Sequence, residues 1–93
     1  MSFDNMSLMP IISRFFGIII YIYWRDHSPP HFHAKYGGEE VAIEIEAGKV
    51  TGSMPNRALT MIQEWRELHK GELLEAWELA ERNKPLRRIN PLE

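Results

Sequence analysis

His31, His33 and Lys35 occupy alternate positions of one short stretch, Pro29-Pro30-His31-Phe32-His33-Ala34-Lys35-Tyr36-Gly37. In a β-strand, side chains two apart point to the same face. These three would therefore stand side by side, with Phe32, Ala34 and Tyr36 turned the other way into a core. Imidazole titrates near neutral pH, so a pair can hold one ring that gives a proton and one that takes it. A lysine beside them attracts phosphate. The trio would suit cleavage of RNA by attack of the 2′-hydroxyl, with His31 and His33 as acid and base and Lys35 steadying the phosphate. The same histidines could share a metal ion, but a site needs at least a third ligand, from His27 or from a glutamate of the next strand. Exposed histidines on a strand also often have no chemical role.

The elements around this stretch decide whether it is accessible. The two prolines fix their own φ and bias the preceding residue toward extended backbone, while Gly37-Gly38 reads as a turn. Upstream, Ile18 to Trp24 is rich in β-branched and aromatic residues and predicts a strand. Ile18, Ile20, Ile22 and Trp24 would face the core, and Ile19, Tyr21 and Tyr23 the open side. Downstream, Glu40 to Glu46 alternates, with Val41, Ile43 and Ile45 inward and Glu40, Ala42, Glu44 and Glu46 outward. Short loops join the three as an antiparallel meander. Its open face would carry Tyr21, Tyr23, His31, His33, Lys35, Glu44 and Glu46. Tyr21 or Tyr23 could stack a base and Arg14 could contact phosphate. The glutamates would favour charged histidines and repel a phosphate backbone.

Before the meander, residues 1–8 read as a loose, polar N-terminal extension, and Ile11 to Phe16 as a short strand or an arm. After it, Ala47-Gly48 is a turn and Lys49-Val50-Thr51 a short edge strand. Ser53 is the expected N-cap of a helix with Pro55 in its first turn. Ala58, Met61, Ile62, Trp65 and Leu68 make its apolar stripe, and Arg66 belongs to the polar side. Gly71 would end or kink this helix. A second helix is expected over Glu72 to Asn83, burying Leu73, Leu74, Ala76, Trp77 and Ala80, with Asn83 and Pro85 as stops. Residues 84–93 read as an extended tail that docks on its own domain, pairs with a partner or touches nucleic acid. The expected fold is α+β: residues 9–83 form one domain, an antiparallel sheet of three to four strands packed on one face by two C-terminal helices.

Ninety-three residues make one domain with a thin core. A net charge of −2 argues against a generic nucleic-acid binder, which is usually basic, though not against a local patch. The chain has no cysteine, which excludes disulfides and thiolate metal sites and fits a cytoplasmic protein. The longest apolar run, Phe15 to Trp24, has about half the length needed to span a membrane, and no secretory leader pattern opens the chain.

Met9-Pro10, Ile12-Ser13-Arg14-Phe15, Gly17-Ile18, Tyr23-Trp24-Arg25-Asp26-His27 and Pro29-Pro30-His31-Phe32-His33-Ala34 resemble the short prokaryotic proteins of the domain of unknown function 4160 family. In the helical half, Arg57-Ala58-Leu59, Trp65, His69, Glu72-Leu73-Leu74 and Trp77 extend the resemblance, which covers about residues 9 to 92. It implies a small α+β domain whose gene often neighbours that of another small protein, an arrangement similar to toxin–antitoxin pairs. It assigns no role to any residue.

Two readings of different classes follow. One is a toxin-like chain acting on RNA through His31, His33 and Lys35, with Arg14, Tyr21 and Tyr23 contacting substrate. The other is a non-catalytic module that binds a small partner protein through its sheet edge, open face or tail; a homo-oligomer is also compatible with the sequence. No cofactor is expected, although a divalent metal on His27, His31 and His33 is a third reading.

Overall fold

The computed structural model describes residues 10–93, so the expected N-terminal extension lies outside the described residues. The chain is α+β: β1 (Ile11–Phe15), β2 (Ile18–Tyr21), β3 (His31–Tyr36), β4 (Glu39–Glu44), β5 (Val50–Gly52), α1 (Asn56–Leu68) and α2 (Lys70–Glu81). The sheet has five strands rather than three to four, in the order β1-β2-β3-β4-β5, every neighbouring pair antiparallel. The added strand is β1, whose short apolar run gave no long period. It is fixed by a two-residue turn in which Phe16 and Gly17 both have positive φ, 49° and 82°. That geometry matches the right-handed twist of the flanking strands, and glycine adopts it without steric cost.

The alternation along each strand sets the two faces. Ile18, Ile20, Phe32, Ala34, Val41 and Ile43 are buried, with Ile22 and Ile45 just beyond the strand ends. They pack on Ala58, Ile62 and Trp65 of α1 and Leu73, Ala76, Trp77 and Ala80 of α2 in one hydrophobic cluster. Each fully buried large side chain contributes about 1.5–3 kcal/mol relative to an exposed one, which is how a small chain holds a five-stranded sheet.

The helices depart from the sequence expectation in four places. Pro55, not Ser53, is the N-cap of α1, and no side chain caps that end. Leu68 is exposed, because the chain breaks at His69 before the stripe completes another turn. Gly71 falls inside the first turn of α2 rather than at the break. Arg66 is buried: its Nη1 donates to the Ile45 and Glu46 carbonyls at 2.8 and 3.2 Å, and its Nε to Gln63 Oε1 at 2.8 Å. It thus pins the turn between β4 and β5, where Gly48 has φ +75°.

α2 stops as its sequence suggests, though two residues earlier than Asn83. Asn83 is left-handed at φ 61°; its N–H donates to the Ala80 carbonyl and the Lys84 N–H to that of Leu79, at 3.1 and 2.8 Å. This paired closure satisfies carbonyls that a helix end leaves open. Residues 84–93 then run back across the domain. Ile89 is buried; its N–H donates to the Ile12 carbonyl, its own carbonyl accepts from Ser13 Oγ, and the Asn90 carbonyl accepts from Trp65 Nε1.

Candidate metal centre and groove

Asp26, which was not among the candidate site residues read from the sequence, is the hub of the open face. Between β2 and β3 the chain is held by three backbone bonds: Ile22 N–H to Pro10, Arg25 N–H to Ala80 and Ile45 N–H to Pro30. Arg25 is left-handed at φ 51° and the Ser28–Pro29 peptide is cis. The path returns the Asp26 carboxylate to the start of β3. There His31 Nε2 and His33 Nε2 lie 2.9 and 3.4 Å from Asp26 Oδ2. On the other carboxylate oxygen, the His27 N–H donates to Oδ1 at 2.8 Å, and His27 Nε2 lies 3.6 Å from it.

The ring nitrogens facing away from Asp26 fix how the two outer histidines are presented. Pro29 and Ser28 carbonyls lie 2.8 and 3.3 Å from Nδ1 of His31 and His27, respectively. A carbonyl only accepts, so Nδ1 carries the proton in each ring and Nε2 is turned to the carboxylate. The two rings stack with centroids 5.3 Å apart. Donor atoms of Asp26, His27 and His31 all lie within 4.8 Å of one another. Metal bonds of about 2.0–2.2 Å separate neighbouring donors by about 3.3 Å in a tetrahedral site. His31 Nε2 stands 2.9 Å from Oδ2 and His27 Nε2 3.6 Å from Oδ1, so each ring is near that separation from one oxygen of the carboxylate. An N–H fixed by a backbone carbonyl is also how metal-bound imidazoles are usually oriented.

His33 belongs to the support of this cluster. Tyr21 stacks on its ring at 5.3 Å, 16° from parallel, and Tyr23 meets it edge-on at 4.7 Å. The Tyr21 hydroxyl donates to Glu40 Oε2. Burial drives the His33 pKa down, against the opposing pull of Asp26 and Glu40. The glutamates were expected to favour charged rings; instead desolvation wins for His33, and the nearest glutamate is Glu40 rather than Glu44 or Glu46. Burial pushes the Tyr21 phenol up, reinforced by its bond to Glu40. Burial also acts to raise the Asp26 carboxyl, but the His27 N–H, the His33 bond and the nearby imidazoles outweigh it and hold it low.

The remaining residues proposed from sequence are dispersed. Tyr21 has no exposed surface and cannot stack an external base. Arg14 is exposed on β1, opposite Ile19 and outside the groove. Lys35 Nζ sits 5.7 Å from the Tyr21 ring centroid. Tyr23 does face the cluster, on the wall of an open groove of about 410 Å³ that also includes Asp26, His27, His31, His33, Glu44, Lys49 and Thr51. Of the metal ligands expected, His27 and His31 come together, while Asp26 takes the place of His33. Adjacent Asp26-His27 just ahead of a Pro-Pro turn was the available signal; it needed the fold-back to become legible.

Residues 17–78 match the family described as Domain of unknown function (DUF4160). The chain belongs to that family. The matched span of this DUF4160 domain runs from the β1–β2 turn into α2 and contains Asp26, His27, His31, His33, Lys49 and Thr51; β1 and the tail lie outside it. Comparison with curated proteins and with solved structures gave no match. Among the described residues, no helix is long and apolar enough to cross a membrane.

Proposed function

We propose that this DUF4160 domain binds one divalent transition-metal ion through Asp26, His27 and His31, and presents it to the groove. The carrying observation is the placement of His31. Its Nδ1 faces a carbonyl at 2.8 Å and its Nε2 faces a carboxylate at 2.9 Å. With Nδ1 committed to the carbonyl, the Nε2 lone pair is turned to the carboxylate, a disposition that a cation shared by the two groups would satisfy. His27 turns a second nitrogen toward the same carboxylate. Two imidazoles and one carboxylate suit zinc, iron, cobalt or nickel better than the oxygen-seeking magnesium and calcium. Three protein ligands with an exposed side are the pattern of working, rather than purely structural, metal sites.

The test is metal analysis of protein purified without a histidine tag, followed by zinc titration of the wild type and of Asp26→Ala and His31→Ala. One equivalent bound by the wild type, with affinity lost in both variants, supports the reading. Less than about a tenth of an equivalent at saturating zinc sinks it. The Trp77 ring, 5.2 Å from that of His31, gives a fluorescence reporter for the same titration with nickel.

A second reading is favoured by one observation: His31 and His33 meet on the same oxygen of Asp26. A doubly protonated His31 and a neutral His33 would form an acid–base pair for RNA cleavage without metal, as in a toxin-like chain. Induction of this chain in bacteria, beside the His31→Ala, His33→Ala double variant at matched soluble levels, tests toxicity. RNA cleavage by the purified protein that persists in chelator would favour this reading over the metal.

A further inference from the structure

We infer that the groove beside the cluster receives a phosphoryl group, and that it does so only once the metal ion is in place; the inference rests on the metal reading above. Without an ion, the formally charged acidic groups lining the groove, Asp26 and Glu44, outnumber its one lysine, Lys49. Counting carboxylates against the lysine, such a lining offers a phosphate no net attraction. A divalent ion on Asp26, His27 and His31 reverses the balance at the end of the groove where those ligands stand. The ligand set is also incomplete. The side chain of His27 is 82% exposed, so the ion would face solvent on that side, where a phosphoryl oxygen can replace water.

The sheet register supplies the other half of the site. His31 lies opposite Glu44, and the Glu44 N–H donates to the Lys49 carbonyl at 3.0 Å. His33 lies opposite Ala42, and Ala42 opposite Thr51. Two parallel rows therefore lead from the histidines to Lys49 and Thr51, about 10 Å across two strand spacings. Ala42 lies between the larger His33 and Thr51, and its single methyl group leaves the floor low. A phosphate ester seated there has the ion at one side and an ammonium and a hydroxyl at the other, with the Tyr23 ring on the wall for a base or aryl group. The lysine the sequence analysis offered for phosphate, Lys35, is not part of the groove lining.

The experiment titrates uridine monophosphate, the dinucleotide UpU and, as a control lacking phosphate, uridine. Each is added to zinc-loaded and to chelator-stripped protein, with the amide signals of Lys49 and Thr51 followed by nuclear magnetic resonance. Binding of either phosphate compound to the zinc-loaded form, with none to the stripped form and none by uridine, is expected; the two compounds separate monoester from diester. Lys49→Ala should weaken binding at least about tenfold, and Lys35→Ala by less than about twofold, with zinc affinity unchanged in both. If zinc binds at the cluster but the phosphate compounds bind equally without it, or Lys49→Ala has no effect, the inference falls and the metal reading stands. If zinc itself does not bind, both fall.

Discussion

His31 and Asp26 face one another with Nε2 and Oδ2 2.9 Å apart, while the opposite nitrogen of His31 is committed to the Pro29 carbonyl at 2.8 Å. The two contacts commit Nδ1 to the carbonyl and turn Nε2 to the carboxylate. His31 is nearly buried, 7% exposed, with the Trp77 ring beside it. The cluster is thus set into the end of the sheet, with His27 on its solvent side.

His33 should act on metal affinity without being a ligand. Its Nε2–H donates to the oxygen of Asp26 that also faces His31, and two tyrosine rings hold it there. His33→Ala is expected to lower zinc affinity about 10–100-fold, as loss of such outer partners usually does. His33→Gln, which can still donate an N–H, should recover part of it. Equal losses in both variants would mean that His33 packs rather than orients.

Arg66 should matter to the groove through the turn that precedes Lys49. Removing it leaves the Ile45 carbonyl without its 2.8 Å donor. Arg66→Ala is expected to cost about 1–3 kcal/mol in chemical denaturation. Gly48→Ala tests the same packing from the other side. A Cβ there would meet Arg66 Nη2 at 2.7 Å and Cζ at 2.9 Å, on backbone with φ +75°. It should cost at least about 1 kcal/mol. The double variant should cost less than the sum, because the clash disappears with the arginine.

The tail should be part of the fold. Ile89 is 4% exposed, and the backbone around it is bonded to Ile12, Ser13 and Trp65. Ile89→Ala is expected to destabilise by about 2–4 kcal/mol in denaturant. A change below about 0.5 kcal/mol would show that the tail detaches in solution.

Tyr21 predicts an alkaline limit to stability. Its phenol is raised by burial and then by Glu40, so between the unfolded value near 10.0 and its higher folded value the unfolded chain releases a proton that the native chain keeps. The contribution is fully present below about pH 10 and is lost as pH rises above it. Tyr21→Phe should flatten the fall in unfolding free energy between about pH 9 and pH 11. An unchanged slope would count against the raised phenol.

The faces of the sheet were legible because period-two alternation is strong in β2, β3 and β4, and a one-residue slip would have reversed every side chain. His31 and His33 therefore share the face turned away from Phe32 and Ala34, but His31 is buried there, with the Trp77 ring beside it. Asp26 was not legible, since its role depends on how Arg25 to Pro30 folds back, which no periodicity records. Lys35 and Lys49 show the same limit: both can reach the open face, but Tyr21 draws one while the β4–β5 turn delivers the other. The helix break falls at His69 rather than at Gly71, because a glycine signals helix ends only on average; here it lies in the first turn of the next helix.

A zinc-soaked crystal, with data collected on both sides of the zinc absorption edge, tests the central claim most directly. The account predicts an anomalous peak about 2.0–2.2 Å from an Asp26 carboxylate oxygen and from Nε2 of His27 and His31. A crystal with no peak there, or with zinc only at the His69–Glu72 pair on the helices, where Nδ1 and Oε1 are 2.5 Å apart, would contradict it.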